Sequence, residues 1–190
     1  MAEYGDHSLD ATQGDLLVKY RKWLATEAIS SGLMGSAEIQ RIDSRHIADS
    51  LLFAFPMDEP DEIWDLGSGA GLPGIPLAIL LPDTKLVLID RSGRRVDMLN
   101  RATRILNLPN VEVRQCDIGD LSGVTSTIVS RASIPPRQLA GTMKMHLEQG
   151  GTAVVGGSWK KKPVVLGWET VEIPPDILDH VVWLLIMRRQ

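Results

Sequence analysis

The spacing of hydrophobic positions along the chain changes near residue 60. Before that point Leu16, Leu17, Tyr20, Trp23 and Leu24 recur at intervals of three and four, and SRHIADSLLFAF repeats the pattern with Ile47, Leu51 and Leu52 after a cap candidate at Ser44. Such spacing gathers apolar side chains on one face of a helix, so residues 1–60 are expected to form an N-terminal helical layer. From Asp61 onward, short apolar runs alternate with amphipathic segments. EIWDL, KLVLID, VEVRQC, STIVSRA, GTAVVGG, ETVEIP and VVWLLIMRR read as seven strands, with helices between most of them. Strands joined by helices pair in parallel and are covered on both faces, so a mostly parallel α/β sheet is predicted. No helix-length segment separates the last two strands, and these are expected to close the sheet as an antiparallel C-terminal edge hairpin.

Composition narrows this to one domain, 1–190, made of the helical layer at 1–60 and an α/β core at 61–190. The 190 residues are 44% hydrophobic and 23% charged, enough for one full-sized core. A net charge of −4 provides no global field for nucleic acid, although local basic patches remain open to it. The lone cysteine, Cys116, excludes an internal disulfide and fits a reducing compartment. MAEYGDHSLD is acidic and polar, and HVVWLLIM is too short to span a bilayer, so a cytoplasmic protein without a membrane partner is expected.

The densest chemical signal is DLGSGAGLPGIP, with four glycines at 67, 69, 71 and 74 between a strand and a helix. Glycines at the carboxyl edge of a parallel sheet let a nucleotide-like ligand approach the backbone closely. Two registers compete. Gly69, Gly71 and Gly74 satisfy the dinucleotide fingerprint G-x-G-x-x-G, which would suit a nicotinamide oxidoreductase. Gly67, Gly69 and Gly71 instead put the tight turn directly after strand EIWDL. Asp65 then precedes the loop, where a carboxylate suits a ligand bearing an ammonium, such as S-adenosylmethionine, better than a pyrophosphate. Asp90 ends the next strand, where ribose hydroxyls need an acceptor. After the third strand, CDIGDL offers Asp117 or Asp120 near an adenine, or as caps of the following turn. The helix SGRRVDMLNRATRILNL puts Val96, Leu99, Thr103 and Leu106 on one face. Arg94, Arg101 and Arg104 lie on the other, as a solvated stripe or a surface for RNA.

The fourth strand ends in IVSRASIPPRQL. It lacks the Asn or Asp, two prolines and an aromatic that serve methyl transfer to exocyclic amines, and no cysteine nucleophile lies at this edge. His7, His46, His146 and His180 are scattered and read as surface or capping residues; no metal-ligand spacing is present. An acceptor with an available lone pair, such as a purine N7, needs alignment rather than a general base. Arg131 is the candidate for binding the cofactor edge or the O6 and N7 side of a guanine, with a structural salt bridge as the alternative.

RHIADSL (45–51), DLGSGAGLPGIPLAI (65–79), LIDRSGRRVDML (88–99), NLPNVEV (107–113) and VSRA (129–132) together resemble the GidB family, guanine-N7 methyltransferases of small-subunit ribosomal RNA. The resemblance implies a Rossmann-like class I S-adenosylmethionine-dependent methyltransferase acting on 16S ribosomal RNA. It also implies roles: Gly67 and Leu72 along the cofactor, Asp90 on the ribose, Ile118 and Gly119 beside the adenine, and Arg131 completing the site. Arg91, Arg94, Arg95 and the N-terminal helices are then expected to contact RNA, in a protein expected to be monomeric and metal-free. The sequence departs from the family pattern in three places. Ile118-Gly119 replaces Ala-Glu, the lysine of a Leu-Lys-Gly motif is missing after GTAVVGG with Lys160 the nearest, and no helix fits before the final hairpin. A paralogue that binds RNA or protein without catalysis is the non-enzymatic alternative.

Overall fold

The computed structural model describes residues 3–4, 7–131, 134–157, 161–173, 178 and 180–190. Lys160, Ala132 and the Pro174-Pro175 loop therefore lie outside the described residues.

The strands are β1 (Glu62–Leu66), β2 (Lys85–Asp90), β3 (Val111–Gln115), β4 (Thr125–Arg131), β5 (Leu147–Gly156), β6 (Glu169–Ile173) and β7 (Val182–Arg188). They form a seven-stranded sheet in the order β3-β2-β1-β4-β5-β7-β6. Strands β1 to β5 are mutually parallel, whereas β7 runs antiparallel to both β5 and β6. The predicted edge hairpin is present, with β7 inserted against β5 and β6 at the rim. Strand β5 starts earlier than the apolar pattern indicated. Its first residue, Leu147, pairs with Thr125 and the ladder resumes with Thr152 opposite Thr127, so residues 148–151 fall in a register shift, where Gly150 takes φ 82°.

Side chains alternate between two cores. Ile63, Leu86, Leu88, Val129, Val154 and Leu184 face the N-terminal helices, while Trp64, Leu66, Val87, Ile89, Ile128 and Val155 face the opposite side. Burial on both faces explains why these strands read as continuous apolar runs.

The first core is covered by α1 (Ala11–Trp23), α2 (Ala48–Leu51), α3 (Gly74–Leu80) and α4 (Gly93–Leu106); α5 (Pro136–His146) lies on the second. Asp10 and Gln13 form a reciprocal capping box at the start of α1. The Gln13 amide also donates to the carbonyls of Ile79 and Leu80 at 2.9 and 3.1 Å, fastening the helical layer to the end of α3. Val96, Leu99, Thr103 and Leu106 are buried as the periodicity required, and Asn107 ends α4 in the left-handed region at φ 52°. One local expectation is corrected. Ser44 caps nothing, because the chain is already helical from Ser36 and passes through a wide π-type turn, Ile42–Ile47, directly into α2.

Among the described residues, no helix is long and apolar enough to cross a membrane. The described residues between β5 and β6 form no helix.

Candidate active site

Strand order reverses direction between β1 and β4, the point where an open α/β sheet leaves a crevice at its carboxyl edge. The glycine loop begins there. Gly67, Gly69 and Gly71 all have positive φ, at 75°, 58° and 94°. An added Cβ at Gly71 would lie 2.4 Å from Ile75 Cδ1, so this position combines a left-handed backbone with a packed neighbour. Gly74 has another role: its Cβ would lie 2.2 Å from Leu88 Cδ2 and 2.7 Å from Asp65 Oδ2, so α3 can approach the sheet only with glycine here. Tyr20, fully buried in α1, donates its hydroxyl proton to the Ala70 carbonyl at 2.8 Å and holds the loop from behind.

The loop's own donors are largely consumed. Gly67 and Ser68 N–H donate to the Ile89 carbonyl at 2.8 and 3.1 Å, Gly69 N–H donates to Asp90 Oδ2 at 3.1 Å, and Gly74 N–H donates to Asp65 Oδ2 at 3.0 Å. A pyrophosphate needs such N–H groups free. Here a carboxylate occupies the start of α3, which favours the first glycine register and disfavours a dinucleotide.

Asp65 is completely buried, and among the described residues its Oδ1 has no hydrogen-bond partner. Burial raises its carboxyl pKa to about 7, against the lowering effect of the Gly74 N–H, the Ser68 hydroxyl and Arg131. A buried acceptor left without a donor is the kind of atom a cationic ligand group satisfies, but Asp65 itself does not line the cavity beside the loop.

A cavity of about 340 Å³ opens beside the loop, lined by Gly67, Ile89, Asp90, Arg91, Arg95, Cys116, Asp117, Ile118, Ile134 and Gln138. Its size falls within the range of small-molecule sites, roughly 300–1,000 Å³. The Asp90 carboxylate accepts from Gly69 N–H and Ser92 N–H, and Arg95 approaches at 3.4 Å. A carboxylate has about four lone-pair positions, so Asp90 retains capacity for a ribose hydroxyl. Asp117 caps the turn Ile118–Asp120 by accepting the Gly119 N–H at 3.0 Å while also lining the cavity. Both roles offered for Asp117 are thus compatible. Asp120 borders only a more open neighbouring hollow.

The remaining site residues predicted from sequence lie elsewhere. Gly69, Gly71, Leu72 and Gly119 shape or support the loops without lining this cavity; Leu72 is buried in the core, its backbone donating to the Ser68 carbonyl. Of the basic residues, Arg91 and Arg95 line the cavity, whereas Arg94 is spent on the Ser31 carbonyl and Arg101 on Glu27.

Arg131, at the end of β4, belongs to a second cavity of about 670 Å³ between the helical layer and the β5–β7 rim. Its guanidinium donates to the Arg45 carbonyl at 3.0 Å and to His46 Nδ1 at 2.9 Å. Arginine has no acceptor, so His46 Nδ1 must carry the lone pair and Nε2 the proton, which is donated to Glu38 at 2.9 Å. Burial and the Arg131 charge keep His46 below the ordinary histidine pKa, consistent with this neutral tautomer. Opposite stands Asp49, bonded to His180 Nε2 at 2.8 Å; burial raises its pKa, with His180 opposing the shift. His46 and His180 are therefore internal members of this cavity, which corrects their reading as surface or capping residues. Their positions were visible in part: His46, Asp49 and Phe53 fall on one helical face of the RHIADSL region, but the sequence gives no sign that this face meets Arg131.

The sheet order, the glycine loop and the crevice define the Rossmann-like class I fold of S-adenosylmethionine-dependent methyltransferases. Two solved structures share it. A ribosomal protein L11 methylase from Lactobacillus delbrueckii subsp. bulgaricus matches with a TM-score of 0.58 at 15% identity, over 75% of this chain and 77% of that one. An O-methyltransferase from Thermotoga maritima matches with 0.59 at 16% identity, over 80% and 69%. The chain belongs to the GidB family, rRNA small subunit methyltransferase G, whose model matches residues 13–166. Proteins named ribosomal RNA small subunit methyltransferase G are similar across much of it. The Chlorobium luteolum protein is 32% identical over 92% of this chain and 77% of its own length, and the Acidothermus cellulolyticus protein is 36% identical over 72% and 61%. For the Mycobacterium marinum protein the figures are 37% identity over 62% and 54%. The chain thus spans between about half and three quarters of these relatives' lengths.

Proposed function

We propose that this protein transfers a methyl group from S-adenosylmethionine to N7 of a guanine in 16S ribosomal RNA. The observation that supports it most directly is the convergence of Gly67, Asp90, Asp117 and Ile118 on one cavity at the switch point of a GidB-family chain.

The residues present fit that cofactor. Asp65 Oδ1, buried and unpartnered, provides an acceptor for the ammonium end. Asp90 accepts from the ribose, Ile118 packs beside the adenine, and the free oxygen of Asp117 receives an adenine or ribose donor. When bound, S-adenosylmethionine supplies an electrophilic methyl group on a sulfonium. Guanine N7 carries a lone pair and no proton, so the chain needs no general base and would only have to hold N7 in line with the methyl–sulfur bond of the cofactor kept by Asp65, Asp90 and Asp117. The protein's share is orientation and exclusion of water. Arg131, held by Arg45 and the neutral His46, presents its charge to the O6 side of the acceptor.

Isothermal titration with S-adenosylmethionine, followed by transfer of labelled methyl groups to small ribosomal subunits and to naked 16S RNA, tests the reading. Cofactor binding with label at a guanine N7 is the expected result. Binding without transfer to either substrate would favour a non-catalytic paralogue, and absence of binding would leave only the fold.

A further inference from the structure

We infer that Asp49 selects guanine, by accepting hydrogen bonds from N1–H and the 2-amino group while Arg131 meets O6. The inference rests on the guanine-N7 reading above.

Asp49 and Arg131 feel each other's charge across the cavity without touching. Asp49 and Arg131 line the same cavity, yet no ion pair joins them. Arg131 is tied to a carbonyl and a neutral imidazole, so its charge has no carboxylate partner within salt-bridge distance among the described residues. Asp49 uses one oxygen on His180, and among the described residues its other oxygen takes no hydrogen bond. Its side chain is 20% exposed, open enough to receive a ligand and enclosed enough for the bond to be strong. Keeping opposite charges apart inside one cavity is costly unless something polar fits between them.

The spacing along the helical layer produces this arrangement. His46, Asp49 and Phe53 follow at three and four residues and share the cavity face, while Ile47, Ser50, Leu51 and Leu52 turn into the core. The Glu38–His46 pair then fixes the guanidinium, and Phe53 offers an apolar surface beside Gly156.

Guanine matches the two ends. Its O6 accepts, whereas N1–H and the 2-amino group donate. Adenine reverses both positions: its 6-amino group would face the guanidinium, and its bare N1 would face the carboxylate. The same contact also aids transfer. Methylation at N7 leaves the purine cationic and its N1–H more acidic, so a bond from N1–H to Asp49 strengthens on the way to product and stabilises the transition state more than the bound substrate.

The test uses small subunits reconstituted with guanosine or inosine at the methylated position; inosine lacks only the 2-amino group. Wild-type protein is expected to show a kcat/KM about tenfold lower on inosine, the worth of one hydrogen bond to a charged group. Asp49→Asn is expected to lose about 100-fold on guanosine and to treat both substrates alike within about twofold, with S-adenosylmethionine affinity unchanged. Equal wild-type rates on the two substrates would overturn the assignment, as would an Asp49→Asn protein that keeps the wild-type preference. If Asp49→Asn fails to fold, the wild-type ratio alone decides. Wild-type protein that binds cofactor but methylates neither substrate would instead overturn the ribosomal RNA reading, and this inference with it.

Discussion

Asp65 allows a quantitative test of how the glycine loop is held. Its carboxyl is fully buried with one oxygen unpartnered, and its pKa is raised to about 7, whereas an unfolded aspartate titrates near 3.9. The folded state therefore holds this proton more tightly than the unfolded state does. The resulting stabilisation is fully present below pH 3.9 and is lost as pH rises through about 7. Between pH 5 and 8 the linkage relation gives a loss of about 2.5 kcal/mol from this group. Asp65→Asn removes the titration. The amide can still accept the Gly74 N–H, and its unpartnered NH2 adds a penalty that does not depend on pH. The difference in unfolding free energy, variant minus wild type, should thus rise by about 2.5 kcal/mol from pH 5 to 8, or about 1 M in relative urea midpoint. Urea unfolding of both cofactor-free proteins at half-unit pH intervals measures it, and other titrating groups cancel in the difference. A flat difference curve would show that the folded carboxylate is already ionised at pH 5, and the account of a buried, uncompensated Asp65 would be refuted.

Other outcomes follow from the same geometry. If the cofactor's ammonium meets Asp65, binding requires the ionised carboxylate, so affinity should fall about tenfold per unit as pH drops below about 7 and flatten in Asp65→Asn, as read by isothermal titration. Gly74→Ala should cost about 1–3 kcal/mol, because its Cβ meets Leu88 and Asp65; thermal melts should show a drop of several degrees. Asp90→Ala should weaken S-adenosylmethionine binding about 10- to 100-fold by removing a charged acceptor; unchanged affinity in titration would exclude Asp90 from the site. Nitrogen NMR of His46 should show the Nε2–H tautomer and a titration midpoint below the ordinary histidine value; a protonated Nδ1 at neutral pH would contradict the bond from Arg131.

The strands and the glycine loop were legible because their causes are local. A strand buried on both faces must be an apolar run, a loop at positive φ must be glycine, and an acid at a strand end marks itself by position. Hence β1 and β2 agree with the sequence reading, and Gly67, Asp90 and Ile118 line one cavity at the sheet's carboxyl edge. The roles of Gly71, Gly74 and Leu72 were not legible, because each depends on what packs against it: Ile75 and Tyr20 for the first, Leu88 and Asp65 for the second, the core for the third.

By itself, then, the sequence determined the strand and helix periods, the glycine turn and the acids that flank it, since these follow from each segment's own need to bury apolar area and satisfy its backbone. Only the tertiary structure decided the rest. Glu38, His46 and Asp49 share one helical stretch, but they meet Arg131 and His180, which are distant in the chain, only where the helical layer closes over the end of β4. Hydrogen bonding, burial and the resulting pKa shifts depend on distance in space, and spacing along the chain does not encode that distance.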